Sequence, residues 1–216
     1  MRMTGRRWFL GGLAGIATAG AGVLTATWHP APTLITSACQ GVSRMSKKIL
    51  VAYATRSGST AEVADAIARR LCKVGQSAEV HPVAKVGSLE GYSGAFLGSA
   101  VRYSAWLPEM TGFLAANRGA LAAMPVAFFT LHMLALGDAP AAVAERAKYT
   151  AQARQAVTLV AEAFFAGQID PARLSFVDRL VVRLVQSPTG DRRDWAVIGD
   201  WAVIGDWAAS LAPRLG

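Results

Sequence analysis

The 216-residue chain is short of charge. Only 17% of it is Asp, Glu, Lys or Arg, against 53% hydrophobic residues. That balance excludes a disordered, solvated chain and supplies the material for a packed core. It has two cysteines, Cys39 and Cys72, and three histidines. None of them stands at metal-ligand spacing, so no metal centre is expected. Cys39 falls in an N-terminal stretch and Cys72 on a predicted helix, so a disulfide between them is not expected. Cys72 reads as a small buried hydrophobe. No basic stripe with interleaved aromatics exists, and no nucleic-acid partner is expected. The formal net charge of +8 does not argue otherwise. Four basic residues (Arg2, Arg6, Arg7, Arg44) lie in residues 1–46, which hold no acid, leaving the remainder a net of +4.

Residues 1–46 read as a leader and linker. Arg6-Arg7-Trp8-Phe9-Leu10 precedes a Gly/Ala-rich, moderately apolar run. The pattern resembles a twin-arginine export signal, which implies the twin-arginine translocase as a partner and a periplasmic or membrane-anchored destination. The alternatives are an uncleaved anchor and a domain on the cytoplasmic face of the inner membrane. Thr36-Ser37-Ala38 before Cys39 offers a signal peptidase site and also resembles a lipoprotein box, with Cys39 as the lipidated residue.

Residues 47–216 carry the domain. Ile49 to Ala54 is a short apolar run of the kind buried in a parallel sheet. Thr55-Arg56-Ser57-Gly58-Ser59-Thr60 follows, and a helical pattern of Val63, Ile67 and Leu71 begins at once, with Ser59-x-x-Glu62 as a capping box. A strand that delivers a hydroxyl-rich turn to a helix N-terminus describes a phosphate-binding loop. The unpaired N–H groups and partial positive charge there attract an anion. Further strands are expected over 78–83, 92–98, 125–131 and 158–165. Helices are expected over 108–117 and 141–157. Strands alternating with helices imply a five-stranded, doubly wound parallel sheet with helices on both faces. The loops after its strands, 55–60, 99–103 and 130–137, should meet at one edge.

Two later features stand apart. Phe176 to Gln186, within a segment near 174–187, forms a basic amphipathic helix. Its stripe of Phe176, Val177, Leu180, Val181, Leu184 and Val185 is read as core-facing, with membrane contact as the alternative. Asp194-Trp-Ala-Val-Ile-Gly is repeated identically from Asp200. Two copies are too few for a solenoid. They are read as a duplication tolerated in a longer strand or loop, with Asp206 capping a last helix that runs to about Leu211.

The first loop resembles the Thr-x-Ser/Thr-Gly-x-Thr loop of flavodoxins. Gly98-Ser-Ala-Val-Arg-Tyr103, the Pro125 strand, the Asp178-Arg-Leu-Val-Val-Arg-Leu helix and Gly190-Asp-Arg-Arg then resemble, in this order, the flavodoxin-type menaquinone-dependent protoporphyrinogen oxidases. The resemblance implies a flavodoxin-like fold and FMN as cofactor. It implies a porphyrinogen-like substrate and electron transfer to a membrane quinone. Thr55, Arg56, Ser57, Gly58, Ser59 and Thr60 would hold the FMN phosphate. Ser99, Ala100, Val101, Arg102 and Tyr103 would flank the ring system, and Thr130, Leu131 and His132 would form a third wall. Tyr103 is the ring expected on the flavin, with Trp106 nearby, and Arg102 is a candidate for pairing with propionates. No acid–base residue is designated. The competing readings are an exported flavodoxin-like electron carrier and a flavin-free binding module.

Overall fold

A computed structural model describes residues 32–41, 47–174, 176–184, 186–193 and 202–216. The twin-arginine stretch and the first copy of the repeat lie outside the described residues. In chain order the elements are β1 (Ser37–Cys39), β2 (Lys48–Ala54), α1 (Ser59–Lys73), β3 (Ala78–Pro82), β4 (Tyr92–Arg102) and β5 (Ala105–Trp106). There follow α2 (Pro108–Ala116), α3 (Arg118–Ala122), β6 (Val126–His132), α4 (Pro140–Tyr149), α5 (Ala151–Arg154) and β7 (Leu159–Ala166). The chain closes with β8 (Gln168–Ile169), α6 (Phe176–Leu184), β9 (Gly190–Asp191) and α7 (Ala202–Leu215).

The sheet order is β1-β3-β2-β4-β6-β7, with β5 paired to β4. The five expected strands are all present and mutually parallel. β2 shows how the apolar run builds two cores. Alternate side chains of a strand face opposite ways. Ile49, Val51 and Tyr53 therefore pack with α1 and α7. Leu50, Ala52 and Ala54 pack with α2 and α3 on the other face. Close approach at the sheet centre requires glycine at Gly98, because a Cβ there would sit 2.0 Å from the ring of Phe129, its register partner on β6.

Several expectations change. The Ser59 capping box does not form: Gly58, at φ 98°, caps α1, and no side chain caps it. The N–H groups of Ala61 and Glu62 bond to the Gly58 carbonyl instead. The helix expected over 141–157 is broken into α4 and α5 at Thr150. The described part of the second copy of the repeat, 202–205, is neither strand nor loop. It enters α7, which starts by Ala202, so Asp206 lies inside the helix and pairs with Arg70 at 2.7 Å. Helical spacing makes this favourable: Ile204, Ala208, Leu211 and Leu215 recur every three or four residues and are buried. Trp207 meets Phe96 and Phe165 edge-on.

The largest difference concerns the cysteines. Cys39 and Cys72 are joined by a disulfide, and no described cysteine is free. The pairing was not expected because Cys39 lies outside the flavodoxin-like pattern. Yet Ser37–Cys39 adds an antiparallel edge strand to β3, with Cys39 opposite Ala78. That register carries Cys39 alongside the C-terminal half of α1, where Cys72 sits, at a Cα–Cα distance of 6.2 Å. Residues 32–41, read in the sequence as linker, are thus packed on the sheet.

Candidate functional site

Because β2, β4, β6 and β7 are parallel, their carboxyl ends share one edge. After β2 the chain pairs outward to β3, then returns to place β4 on β2's other side. The gap between the ends of β2 and β4 is the switch point, and a cleft of about 320 Å³ opens beside it. Arg56, Ser57 and Ser59 line it from the first loop, Ala100 to Ser104 from the second, and Leu131 to Leu134 from the third.

The first loop is preorganised. Gly58 takes the left-handed conformation, and its N–H donates to Thr55 Oγ1 at 3.0 Å. Ser57 Oγ donates to the Gln168 carbonyl at 2.8 Å, which ties the loop to β8. Arg173 donates to the Ser57 carbonyl at 3.1 Å. Thr60 is fully buried in the first turn of α1, and its Oγ1 has no hydrogen-bond partner among the described residues. Glu62 is the one carboxylate in that first turn, and it would repel an anion. It is held by Arg193, itself bonded to Asp191 at 2.7 Å. Arg56 pairs with Glu109 at 2.7 Å.

The second loop is a two-residue hairpin, Arg102 pairing with Ala105 across Tyr103 and Ser104. Both turn residues have positive φ, 52° and 55°. Such hairpins favour Asn and Gly, and neither residue is one, so the turn is held in a sparsely populated conformation. Tyr103 is thereby presented on the rim, 66% exposed. Arg102 lies 4.8 Å from its ring centroid and forms an ion pair with Asp178 of α6. Ser99 and Thr130 turn inward. Ser99 Oγ accepts from the Leu107 N–H and donates to the Ala100 carbonyl. Thr130 Oγ1 accepts from Trp106 Nε1 at 2.9 Å. Their hydroxyls build the loops and do not face the cleft. Trp106 packs on Phe128 in the core, not beside the cleft.

On the third wall, Leu131 and His132 are buried. His132 Nδ1 faces the Leu134 carbonyl. A carbonyl only accepts, so Nδ1 carries the proton and Nε2 is the bare nitrogen. Burial pushes the imidazole below its ordinary value; the bond to Leu134 opposes the shift, and Arg146 adds to it. The net direction favours the uncharged imidazole.

Sequence reasoning missed the fourth wall: Tyr149, Gly167 to Ile169, Leu174, Asp178, Val181 and Val182. Asp178, Val181 and Val182 have a signal, their place in the quoted helix motif. The α6 stripe is divided. Val181 and Val182 face the cleft, whereas Leu180 and Leu184 are 48% and 72% exposed. Arg179 donates to the Leu174 and Ala172 carbonyls, both at 3.1 Å.

A doubly wound sheet with this loop at its switch point defines the flavodoxin class, and the chain belongs to the flavodoxin domain family, which matches residues 50–195. Two curated relatives carry the name protoporphyrinogen IX dehydrogenase (quinone). The one from Leishmania major is 28% identical over 160 residues, covering 71% of this chain and 68% of the relative. The one from Escherichia coli strain K12 is 25% identical over 152 residues, covering 68% and 83%. Among solved structures, oxidised flavodoxin 1 from Bacillus cereus shares the fold with a TM-score of 0.50. It is 18% identical and covers 78% of this chain and 99% of that one.

The family's cofactor, FMN, fits the residues present. The Thr60 hydroxyl without a partner among the described residues, the partial positive charge of the α1 N-terminus and the paired Glu62 suit a phosphate. The apolar walls of Val101, Leu131, Val181 and Val182 suit a flat ring system.

Proposed function

We propose that the chain is an FMN-dependent oxidoreductase of the protoporphyrinogen dehydrogenase type, working outside the cytoplasm and delivering electrons to a membrane quinone. The observation that carries this reading is α6. It closes the cleft with Val181 and Val182 and is joined to the second loop by the Arg102–Asp178 ion pair. A fourth wall makes the cofactor edge a substrate-sized pocket, and both named relatives act on protoporphyrinogen IX by their names.

FMN, when bound, supplies the redox chemistry, and the protein supplies orientation and electrostatics. The loop Thr55 to Thr60 holds the phosphate. Ala100 to Tyr103 and Leu131 to His132 position the ring. His132, which borders the cleft and whose uncharged form burial favours, would be the proton acceptor of the third wall. Arg102 is engaged by Asp178 and shapes the pocket, so it is not free to clamp a propionate alone.

Two further features support the placement. The Cys39–Cys72 disulfide suits an oxidising compartment, since cytosolic thiols are kept reduced. It thereby favours export of this chain by the twin-arginine translocase. Exposed Tyr103 and Leu134 on the cleft rim, with Leu180 and Leu184 on α6, suit a lipid-dissolved electron acceptor.

The test is a visible spectrum of the purified, FMN-loaded chain under anaerobic conditions. Protoporphyrinogen IX is added first, then a menaquinone analogue. The proposal expects retained FMN, bleaching by the porphyrinogen and recovery with the quinone. Retained FMN without bleaching points to an electron carrier, and a folded chain that retains no FMN points to a binding module.

A further inference from the structure

Residues 32–41 precede the flavodoxin pattern, yet they are bound to it at every turn. β1 runs antiparallel to β3, so the chain before Ser37 climbs toward the carboxyl edge of the sheet, where the cleft lies. Ile35 is gripped by one side chain. Its N–H donates to the Tyr53 hydroxyl at 2.7 Å, and that hydroxyl donates to the Ile35 carbonyl at 2.9 Å. Ser37 Oγ donates to Asp65 on α1 at 3.1 Å. The Gly41 N–H donates to Ser77 Oγ at 2.8 Å. The disulfide fixes Cys39 to the far end of α1.

The upper end of this segment meets the phosphate loop. A Cβ on Gly58 would come 3.7 Å from the Thr33 carbonyl oxygen, 3.8 Å from the Thr33 nitrogen and 3.3 Å from Arg173 Nη1. The Thr33 backbone and the Arg173 guanidinium, which also donates to Ser57, thus border the space a side chain on the left-handed Gly58 would occupy. The loop turns at Gly58, and the segment runs past it on its outer side.

We propose that residues 32–39 are a buttress of the FMN-phosphate loop, pinned by Cys39–Cys72, so that cofactor retention depends on formation of that bond. The inference rests on the FMN reading above. Closure is a thiol–disulfide exchange. The two thiols give up two electrons and two protons to a disulfide donor of the oxidising compartment, which leaves as a dithiol. Before that exchange the segment is held by hydrogen bonds alone and the loop exchanges its cofactor more freely. After it, the anchor is covalent and the loop holds its shape. A chain folded around its cofactor inside the cell would be locked outside it.

The test uses the full chain loaded with FMN in the disulfide form. Release is followed by the rise in flavin fluorescence after dilution. The same measurement is made on chain reduced with a phosphine, on Cys39→Ser, and on Tyr53→Phe, which frees Ile35 without touching either sulfur. Riboflavin, which lacks the phosphate, is run in parallel, and circular dichroism confirms that each sample is folded. Reduction and both substitutions should speed FMN release about tenfold, comparable to losing one hydrogen bond to a charged group. Riboflavin release should stay unchanged. Equal FMN release from oxidised chain and from chain titrating with two free thiols would overturn the buttress alone. So would equal acceleration of FMN and riboflavin, since that would mark a general loss of stability. An oxidised chain that retains neither flavin would overturn the FMN reading together with the buttress.

Discussion

Replacing Thr60 by Val should move the empty and loaded forms of the protein in opposite directions. The two side chains have nearly the same shape, both are branched at Cβ, and their helix propensities are close. The substitution therefore removes one hydroxyl and little else. That hydroxyl is fully buried and has no hydrogen-bond partner among the described residues. A buried unsatisfied polar group costs about 1–3 kcal/mol, so its removal should stabilise the empty form by about 1 kcal/mol. For a chain of this size that raises the melting temperature by about 2–4 °C. In the loaded protein the hydroxyl is expected to donate to the phosphate. A hydrogen bond to a charged group is worth about 1.5–3 kcal/mol, and its loss should weaken FMN binding by about 10- to 150-fold. The assay pairs thermal melts of the empty protein with titration of flavin fluorescence, using riboflavin as the phosphate-free control. Unchanged FMN affinity would refute the assignment of Thr60 to the phosphate. A destabilised empty form would show that the hydroxyl has a structural partner, and the argument from an orphaned atom would fall.

Three other perturbations test the frame around the site. Cys39→Ser opens a cross-link between residues 33 apart in sequence; the loop-entropy relation puts the loss at about 4 kcal/mol, seen as a melting temperature roughly 8–16 °C lower. An unchanged melt would show that the bond does not form in the native protein. Gly98→Ala drives a methyl into the Phe129 ring and should cost about 1–3 kcal/mol by overpacking. Trimming the ring with Phe129→Leu should recover part of that loss in a double-mutant cycle, and strict additivity would disprove the contact. His132 has its folded pKa depressed by burial below the ordinary 6.5. The unfolded chain therefore binds the proton first as pH falls. The stability from this group is complete above 6.5 and is lost as pH drops through the folded value. Denaturant titrations at pH 8 and pH 5.5 should show a smaller loss of stability in His132→Gln than in the wild type. Equal losses would mean that His132 is not buried neutral.

What the sequence discloses and what it hides follow from the range of the interactions involved. The five parallel strands are short apolar runs whose period and flanking turns lie within a dozen residues, and the phosphate loop is a contiguous hexapeptide. Both are local: the strands lie where expected, and the hexapeptide joins β2 to α1 as the pattern describes. Gly58 is legible as a member of the hexapeptide, although the cap it makes displaces the expected Ser59 box. Ser99 and Thr130 show the limit of reading hydroxyls by position. They stand at strand ends beside the cleft, but Leu107 and Trp106 engage them, and only the β4–β5 hairpin brings those donors within reach. The fourth wall depends on residues 46 to 79 positions beyond Tyr103, brought back by α4, β8 and α6, and no periodicity encodes that return.

The disulfide was hidden for a related reason. Spacing alone says nothing about a pair 33 residues apart. The pairing follows from topology: an N-terminal tripeptide must add to the outer edge of β3 and run antiparallel to it. Once it does, Cys39 has one neighbour of its kind, and the segment before it has one direction to run, up the edge strand toward the phosphate loop. A leader-like sequence and a brace for the cofactor loop are therefore compatible in one N-terminal region. Its early residues carry the paired Arg6 and Arg7, and its later residues supply a sheet edge, a cross-link and a backbone path beside Gly58.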